Sequence, residues 1–365
     1  MFRGTKKRSA AEFGALYARL GCENNAWTSY DMTNYHGVVA KVYLKQILEA
    51  ESDRFANLQF DEKQLRDEAG AVLGEYNKDV AQPEFLVEEK LMATAFEKHP
   101  YSHTTMGFRD DVLKFTERYQ DVWPFFRRYY RPSNVSVLLV GDVDLDADYK
   151  VVEELFSGWK PADDLPAAVI PSEPEQQVAR RASVRLDKPT QTRLAVAYKT
   201  PAFSTKNKDS AALAVLSEML FGVTSQFQKT YRYENKWFDS IYLGSGESLD
   251  PGLWTIQVRL SKAGEGNEDA LIKAIESTLA GVADVSPKRL TDIKKQFRNQ
   301  ALTRWFSSPD ALAGQLAVYM NFESDPQILD RIFERIDSVG VSDLVHVVQK
   351  YLLKNRQTIV SLSGK

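Results

Sequence analysis

The chain has a single cysteine, Cys22, among 365 residues. No internal disulfide and no thiolate zinc cluster can form, so any metal would have to be held by His, Asp or Glu. Histidine is scarce too: His36, His99, His103 and His346 are the whole set. None of them sets up a paired zinc-ligand helix, and His99 precedes Pro100, which favours a helix end over a ligand position. No apolar run approaches the ~20 residues of a membrane span, and Met1 to Lys7 hold no apolar segment of the kind a secretory signal needs. A dominant charge is also missing. The 47 basic and 50 acidic residues, spread along the chain, leave a net charge of −3 and no field that would favour nucleic acid or an anionic membrane. There is no G-x-S-x-G elbow, Cys–His pair or phosphate loop, so nucleophilic hydrolysis and nucleotide binding have no support.

What is present is an ordinary globular composition, 43% hydrophobic and 27% charged, at a length suited to two domains of roughly 150 to 200 residues. Ser9-Ala10-Ala11-Glu12 reads as a capping box opening a helix over 9–20, with Gly21 as its stop. Residues 25–40 read as two strands around a turn near Asp31, and 42–56 as an amphipathic helix. Asp61 and Gln64 form a second capping-box pattern for a helix to about Asp79, and Pro83 starts another that ends before His99-Pro100-Tyr101. Thr116 is expected to cap a helix through Tyr130, stopped by Pro132, with Val135 to Val140 as a buried strand closed by Gly141.

Pro161, Pro166, Pro171 and Pro174 fall in a stretch without periodicity, so 161–178 reads as a linker between domains at 1–160 and 179–365. The second block opens with strands near 181–187 and 192–198 and a helix at 208–221. The two blocks look related. Tyr129 to Asn134 leads into Val135–Gly141 as Tyr351 to Asn355 leads into Ile359–Gly364, an internal repeat at about 222 residues. At that offset Met1 falls near Val223, so the opening strands and first helix of the second block have no partner in the first. The first sheet is therefore expected to lack strands, with an exposed apolar face near Val38, Ala40 and Val137.

Glu68 and Glu75 lie seven residues apart on one helix and so return to nearly the same face, shared with Leu65 and Val72. If that face is inward, the carboxylates need a divalent metal or a cationic partner. If Ala69, Leu73 and Tyr76 form the core stripe instead, both glutamates are solvated. The residues alone leave both readings open.

Taken in order, Phe2-Arg3-Gly4-Thr5, Gly21 to Thr33 with Asn25-Ala26-Trp27-Thr28 inside it, Glu68 to Glu75, His99-Pro100-Tyr101, and Tyr129 to Asp142 resemble the signature of the insulinase/pitrilysin family of zinc metallopeptidases. Residues 180–365 look like that family's second, degenerate repeat. The resemblance implies an α+β protein of two related units, each a mostly antiparallel sheet with helices on one face, the first unit incomplete at its N-terminus. It also implies that an inverted H-x-x-E-H motif supplies two zinc ligands and a general base, that Glu75 is the third ligand, and that Glu68 supports the site. No H-x-x-E-H occurs in this sequence; by the family pattern it belongs just upstream of Phe2, the same gap that the repeat indicates.

By the same resemblance Asn25, Ala26 and Thr28 form a substrate-binding edge to which a peptide adds as a strand. Arg232 matches an Arg that reaches the substrate, but the residue seven further on is Asp239 where the family has Tyr, which puts that clamp in doubt and leaves Arg232 to pair with Asp239 or Glu234. Glu68 and Glu75 would face the cavity between the domains, near Asn25–Thr28. The expected function is zinc-dependent endopeptidase action on peptides or unfolded segments, with Zn²⁺ in the complete protein and none held by this chain, which should be inactive alone. The alternative is a non-catalytic partner subunit or peptide-binding member, dimerising with itself or a relative. Exported or periplasmic placement rests on resemblance to bacterial members.

Overall fold

A computed structural model describes residues 1–160 and 169–365. Part of the expected linker, residues 161–168, lies outside them. The chain divides into two compact units, neither contiguous in sequence: Met1–Asn77 with Met106–Val169 and Trp305–Ala317, and Lys78–Thr105 with Ile170–Arg304 and Val318–Lys365.

In the first unit, α1 (Ala10–Leu20) starts where the capping box places it. The Ser9 N–H donates to Glu12, the Glu12 N–H donates to the Ser9 hydroxyl, and Gly21 closes the helix at φ 63°. A cap of this kind contributes about 1 kcal/mol. β1 (Glu23–Thr28) and β2 (Thr33–Val38) form an antiparallel hairpin, followed by α2 (Leu44–Asn57) and α3 (Glu62–Asp79). Asp61 and Gln64 cap α3 reciprocally. Phe13, Tyr17, Leu20, Cys22, Ile47 and Ala50 make a small core. Beside it the Arg54 guanidinium lies 5.0–5.6 Å from the ring centres of Phe2, Tyr35 and Phe55.

After the short helix α5 (Arg109–Leu113) comes α6, which spans Tyr119–Tyr129 and begins later than expected. Thr116 sits inside a single 3₁₀ turn, Phe115–Glu117, rather than capping the helix. Val135–Val140 is not a buried strand. It is without sheet pairing, Val137 is exposed, and α7 (Leu145–Phe156) follows. Val38 and Ala40 are exposed as well. Among the described residues the hairpin has no third strand, so the apolar residues of 135–140 have no neighbouring strand to pack beside.

The second unit has a five-stranded sheet in the order β3-β7-β4-β6-β5, from β3 (Arg180–Arg185), β4 (Arg193–Lys199), β5 (Phe238–Ser245), β6 (Leu253–Leu260) and β7 (Gln357–Ser363). Only β3 and β7 run parallel. Helices are α4 (Pro83–Ala95), α8 (Asp209–Phe221), α9 (Glu268–Ala280), α10 (Pro287–Trp305), the end of α11 (Pro309–Phe322), α12 (Ile328–Ser338) and α13 (Val341–Tyr351). Fully buried Trp254 ties the sheet to α8, its indole N–H donating to the Ser217 hydroxyl at 2.6 Å.

The other face of this sheet is covered as well. Val87 and Leu91 of α4 pack on Ala195, Ala197, Val360 and Leu362. Arg193 donates to Glu84 at the start of α4, and Arg180 donates to the carbonyls of Thr94 and Ala95 at its end. Helix α4 thus belongs to the second unit although it precedes that unit's strands by some hundred residues, and helices lie on both faces where one was expected.

The internal repeat is visible in the order of elements. Helices starting at Leu44, Glu62, Pro83 and Tyr119 recur as helices starting at Glu268, Pro287, Pro309 and Val341. The third of these changes units in both halves: α4 lies in the second unit, and the first part of α11 in the first.

Buried charge in the second unit gives one prediction. Burial holds the Glu247 carboxyl above the usual carboxylate range, against the hydrogen bonds it accepts from Tyr319 at 3.1 Å and from the Ser245 hydroxyl. The folded state therefore binds this proton more tightly than the unfolded chain. Its contribution to stability is full below the unfolded carboxyl range and is lost as pH rises through the folded value. Glu247→Gln is expected to raise stability at pH 8 and to leave it nearly unchanged at pH 4, as measured by urea unfolding at each pH.

Candidate functional site

The β1 edge is fixed by two hydrogen bonds. The Ser29 N–H donates to the Met32 carbonyl at 2.9 Å, extending the ladder in which Asn25 faces His36 and Trp27 faces Asn34. Because bonding alternates along an antiparallel pair, the backbone groups of Glu23, Asn25 and Trp27 point to β2. Those of Asn24, Ala26 and Thr28 point to the open side. The Ala26 N–H confirms this parity: it donates to the Asn25 side-chain oxygen at 2.8 Å, not to β2. Ala26 is half-buried, while Asn25 and Thr28 are exposed. Tyr35, opposite Ala26, packs against Phe55 and donates to or accepts from Tyr130 at 2.7 Å, so one face of the hairpin is anchored. On the other face His36 meets Asp310 of α11 at 3.2 Å.

On α3 the buried positions are Leu65, Ala69 and Tyr76, and Val72 is half-buried. Of the two readings of this helix, that burial fits the one in which Ala69 and Tyr76 belong to the core stripe and both carboxylates are solvated. Glu68 and Glu75 are both exposed, and Glu68 accepts from the Arg3 guanidinium.

The histidines are engaged elsewhere. His99 is buried, its Nδ1 accepting from the Tyr101 N–H at 3.1 Å and its Nε2 facing Asp250 at 3.2 Å, which places the proton on Nε2. His103 Nδ1 faces the Thr104 carbonyl at 2.7 Å, and His346 lies 3.8 Å from Asp209. No group of three metal-ligating side chains occurs among the described residues. A zinc ion needs about four ligands, three of them from protein in a catalytic site. Glu75 alone does not fit that requirement.

Arg232 lies on a π-helical turn, Gln228–Glu234, donating to Gln228 at 3.0 Å and stacking over Tyr233. It pairs with neither residue named for it: Asp239 accepts from Gln191 at 2.7 Å instead.

Sequence reading missed Glu173. Its carboxylate receives the backbone N–H groups of Glu97, Lys98 and His99 at 2.9–3.1 Å, together with the Lys199 ammonium. Nothing local marks it, since its partners lie some 75 residues before it or on β4.

Residues 1–109 match the family model described as insulinase, peptidase family M16, and residues 117–297 match the model for the M16 inactive domain. The chain belongs to the M16, insulinase-type peptidase family. It is 29% identical to a zinc protease named PqqE from Helicobacter pylori, over 99% of this chain and 81% of the relative. It is 24% identical to a probable mitochondrial-processing peptidase subunit beta from Arabidopsis thaliana, over 96% of this chain and 67% of that one. A crystal structure of a protease from Helicobacter pylori superposes with a TM-score of 0.89 at 27% identity, covering 99% of this chain and 87% of that one. The first half of the periplasmic protease PqqL from Escherichia coli shares the fold, with a TM-score of 0.77 at 16% identity, covering 99% of this chain and 80% of that one. In this M16 chain no helix among the described residues is long and apolar enough to cross a membrane.

Proposed function

We propose that this chain is the peptide-binding body of an M16 zinc endopeptidase, taking extended or unfolded polypeptide as an added strand along Asn24–Thr28. The observation that carries this reading is the outward direction of the Asn24, Ala26 and Thr28 backbone groups on a strand that, among the described residues, is paired only on its other side. Backbone pairing of that kind reads conformation with little demand on sequence, which suits a protease of unfolded segments. Asn25 and Thr28 flank the docking groups, Glu75 is the zinc-ligand position and Glu68 a supporting carboxylate. Arg232 is a substrate contact by family position only. Hydrolysis needs two further ligands and a general base, which the 365 residues do not contain as H-x-x-E-H; by themselves they bind peptide without cleaving it.

The expected result for the purified chain is saturable binding of a dye-labelled unfolded peptide, no cleavage, and far less than one zinc per chain after dialysis. Near one zinc per chain, or cleavage, would overturn the assignment of Glu75 as the sole remaining ligand. Similarity to a processing-peptidase subunit supports a second reading, in which the chain associates with another family member. Similarity to a periplasmic protease supports an exported location.

A further inference from the structure

We infer that Asn25 is a self-cap on the β1 edge, a side chain that occupies the central docking donor until a peptide displaces it. The inference rests on the strand-addition reading above and adds a regulatory contact to it. Among the outward groups of β1, the Ala26 N–H is already satisfied, by the carboxamide oxygen of the adjacent Asn25 at 2.8 Å. A peptide adding antiparallel or parallel to β1 must place a carbonyl oxygen on that same N–H. Peptide and Asn25 oxygen therefore compete for one hydrogen.

The cap is cheap to release and quick to re-form. Asn25 is exposed, so swinging its side chain out costs no buried contact. It belongs to the residue next to the donor, so it returns whenever the peptide leaves. An unpaired strand edge is also a template for unwanted pairing between chains. The strand lacks a charge or proline at its centre, the usual protections, and Asn25 supplies a reversible one in their place.

The competition fixes the sign of two substitutions. Asn25→Ala removes the cap and leaves the N–H to the peptide, so affinity should rise by about 2- to 10-fold, the equivalent of one ordinary hydrogen bond. Asn25→Asp holds the N–H with a charged acceptor, which is the stronger bond, so affinity should fall.

The test is fluorescence anisotropy with an uncharged decapeptide of alternating threonine and valine carrying a neutral dye, on the full chain and each variant, with circular dichroism to check folding. Tighter binding by Asn25→Ala and weaker binding by Asn25→Asp is the expected pattern. Weaker or unchanged binding by Asn25→Ala overturns the self-cap, because it makes Asn25 a direct contact or a bystander. Ala26→Pro separates this from the underlying reading. The Ala26 N–H makes no ladder bond, so proline is tolerated there as on any edge strand, yet it deletes the docking donor. Loss of binding in Ala26→Pro with no gain in Asn25→Ala rejects the self-cap alone. Unchanged binding in Ala26→Pro rejects the β1 edge itself.

Discussion

Replacing Glu173 with alanine is expected to destabilise the second unit by about 3 kcal/mol at pH 7, the cost of breaking a buried, hydrogen-bonded charge cluster. The Glu173 side chain is 5% exposed and receives three successive backbone N–H groups as well as Lys199. Burial by itself would raise this carboxyl. The Lys199 ammonium and the N–H groups of Lys98, His99 and Glu97 outweigh it and bring the carboxyl down to about 2. A depressed carboxyl contributes stability that is full above its unfolded value, near 4.3, and is lost as pH falls through the folded one. The wild type should therefore weaken between roughly pH 4.5 and pH 2, and Glu173→Ala should lose that acid dependence. Urea unfolding of both proteins from pH 7 to pH 2.5 checks this. A constant gap between the two curves would mean that the substitution acts through packing and not through charge.

Leu91→Ala is expected to cost 2–5 kcal/mol, the range for removing a buried leucine side chain, and to do so in the second unit. Leu91 is 1% exposed and packs with Ala195, Ala197, Val360 and Leu362 of the five-stranded sheet. Hydrogen exchange of the β4 and β7 amides should accelerate with the loss of stability, because α4 covers those strands. Leu145→Ala, on a helix where the side chain is 83% exposed, is the control and should change stability by less than about 0.5 kcal/mol. Unchanged exchange in β4 and β7 for a destabilised Leu91→Ala would place α4 with the first unit instead.

The parts of the fold legible in the sequence are those with local chemistry. Ser9 and Glu12, Asp61 and Gln64, Gly21 and Pro83 each act on backbone groups within four residues, so helix starts and stops could be placed from them. The hairpin around Asp31 was legible for the same reason. Val135–Val140 was not, because strand formation needs a partner and apolar content alone does not provide one. Its counterpart β7 carries a similar apolar run and becomes a central strand only because β3 and β4 flank it.

The candidate site divides along the same line. Asn25, Ala26 and Thr28 were placed on a strand by pattern, but which backbone groups face outward depends on the register with β2, set by pairs such as Asn25 with His36. For Glu68 and Glu75 heptad spacing fixed that they share a face of α3 and could not say which face is buried. Packing of Leu65, Ala69 and Tyr76 decided that and left both carboxylates in solvent.

By itself the sequence determined the capped helices, the hairpin and the lack of an H-x-x-E-H, because each depends on neighbours along the chain or on plain presence. Only the tertiary structure decided that α4 covers the second sheet, that Glu173 gathers the N–H groups before Pro100, and that Asn25 occupies the open donor of β1. The first two join residues far apart in sequence, whose meeting depends on burial and shape. The last depends on the direction of one N–H, which strand register sets and residue type does not.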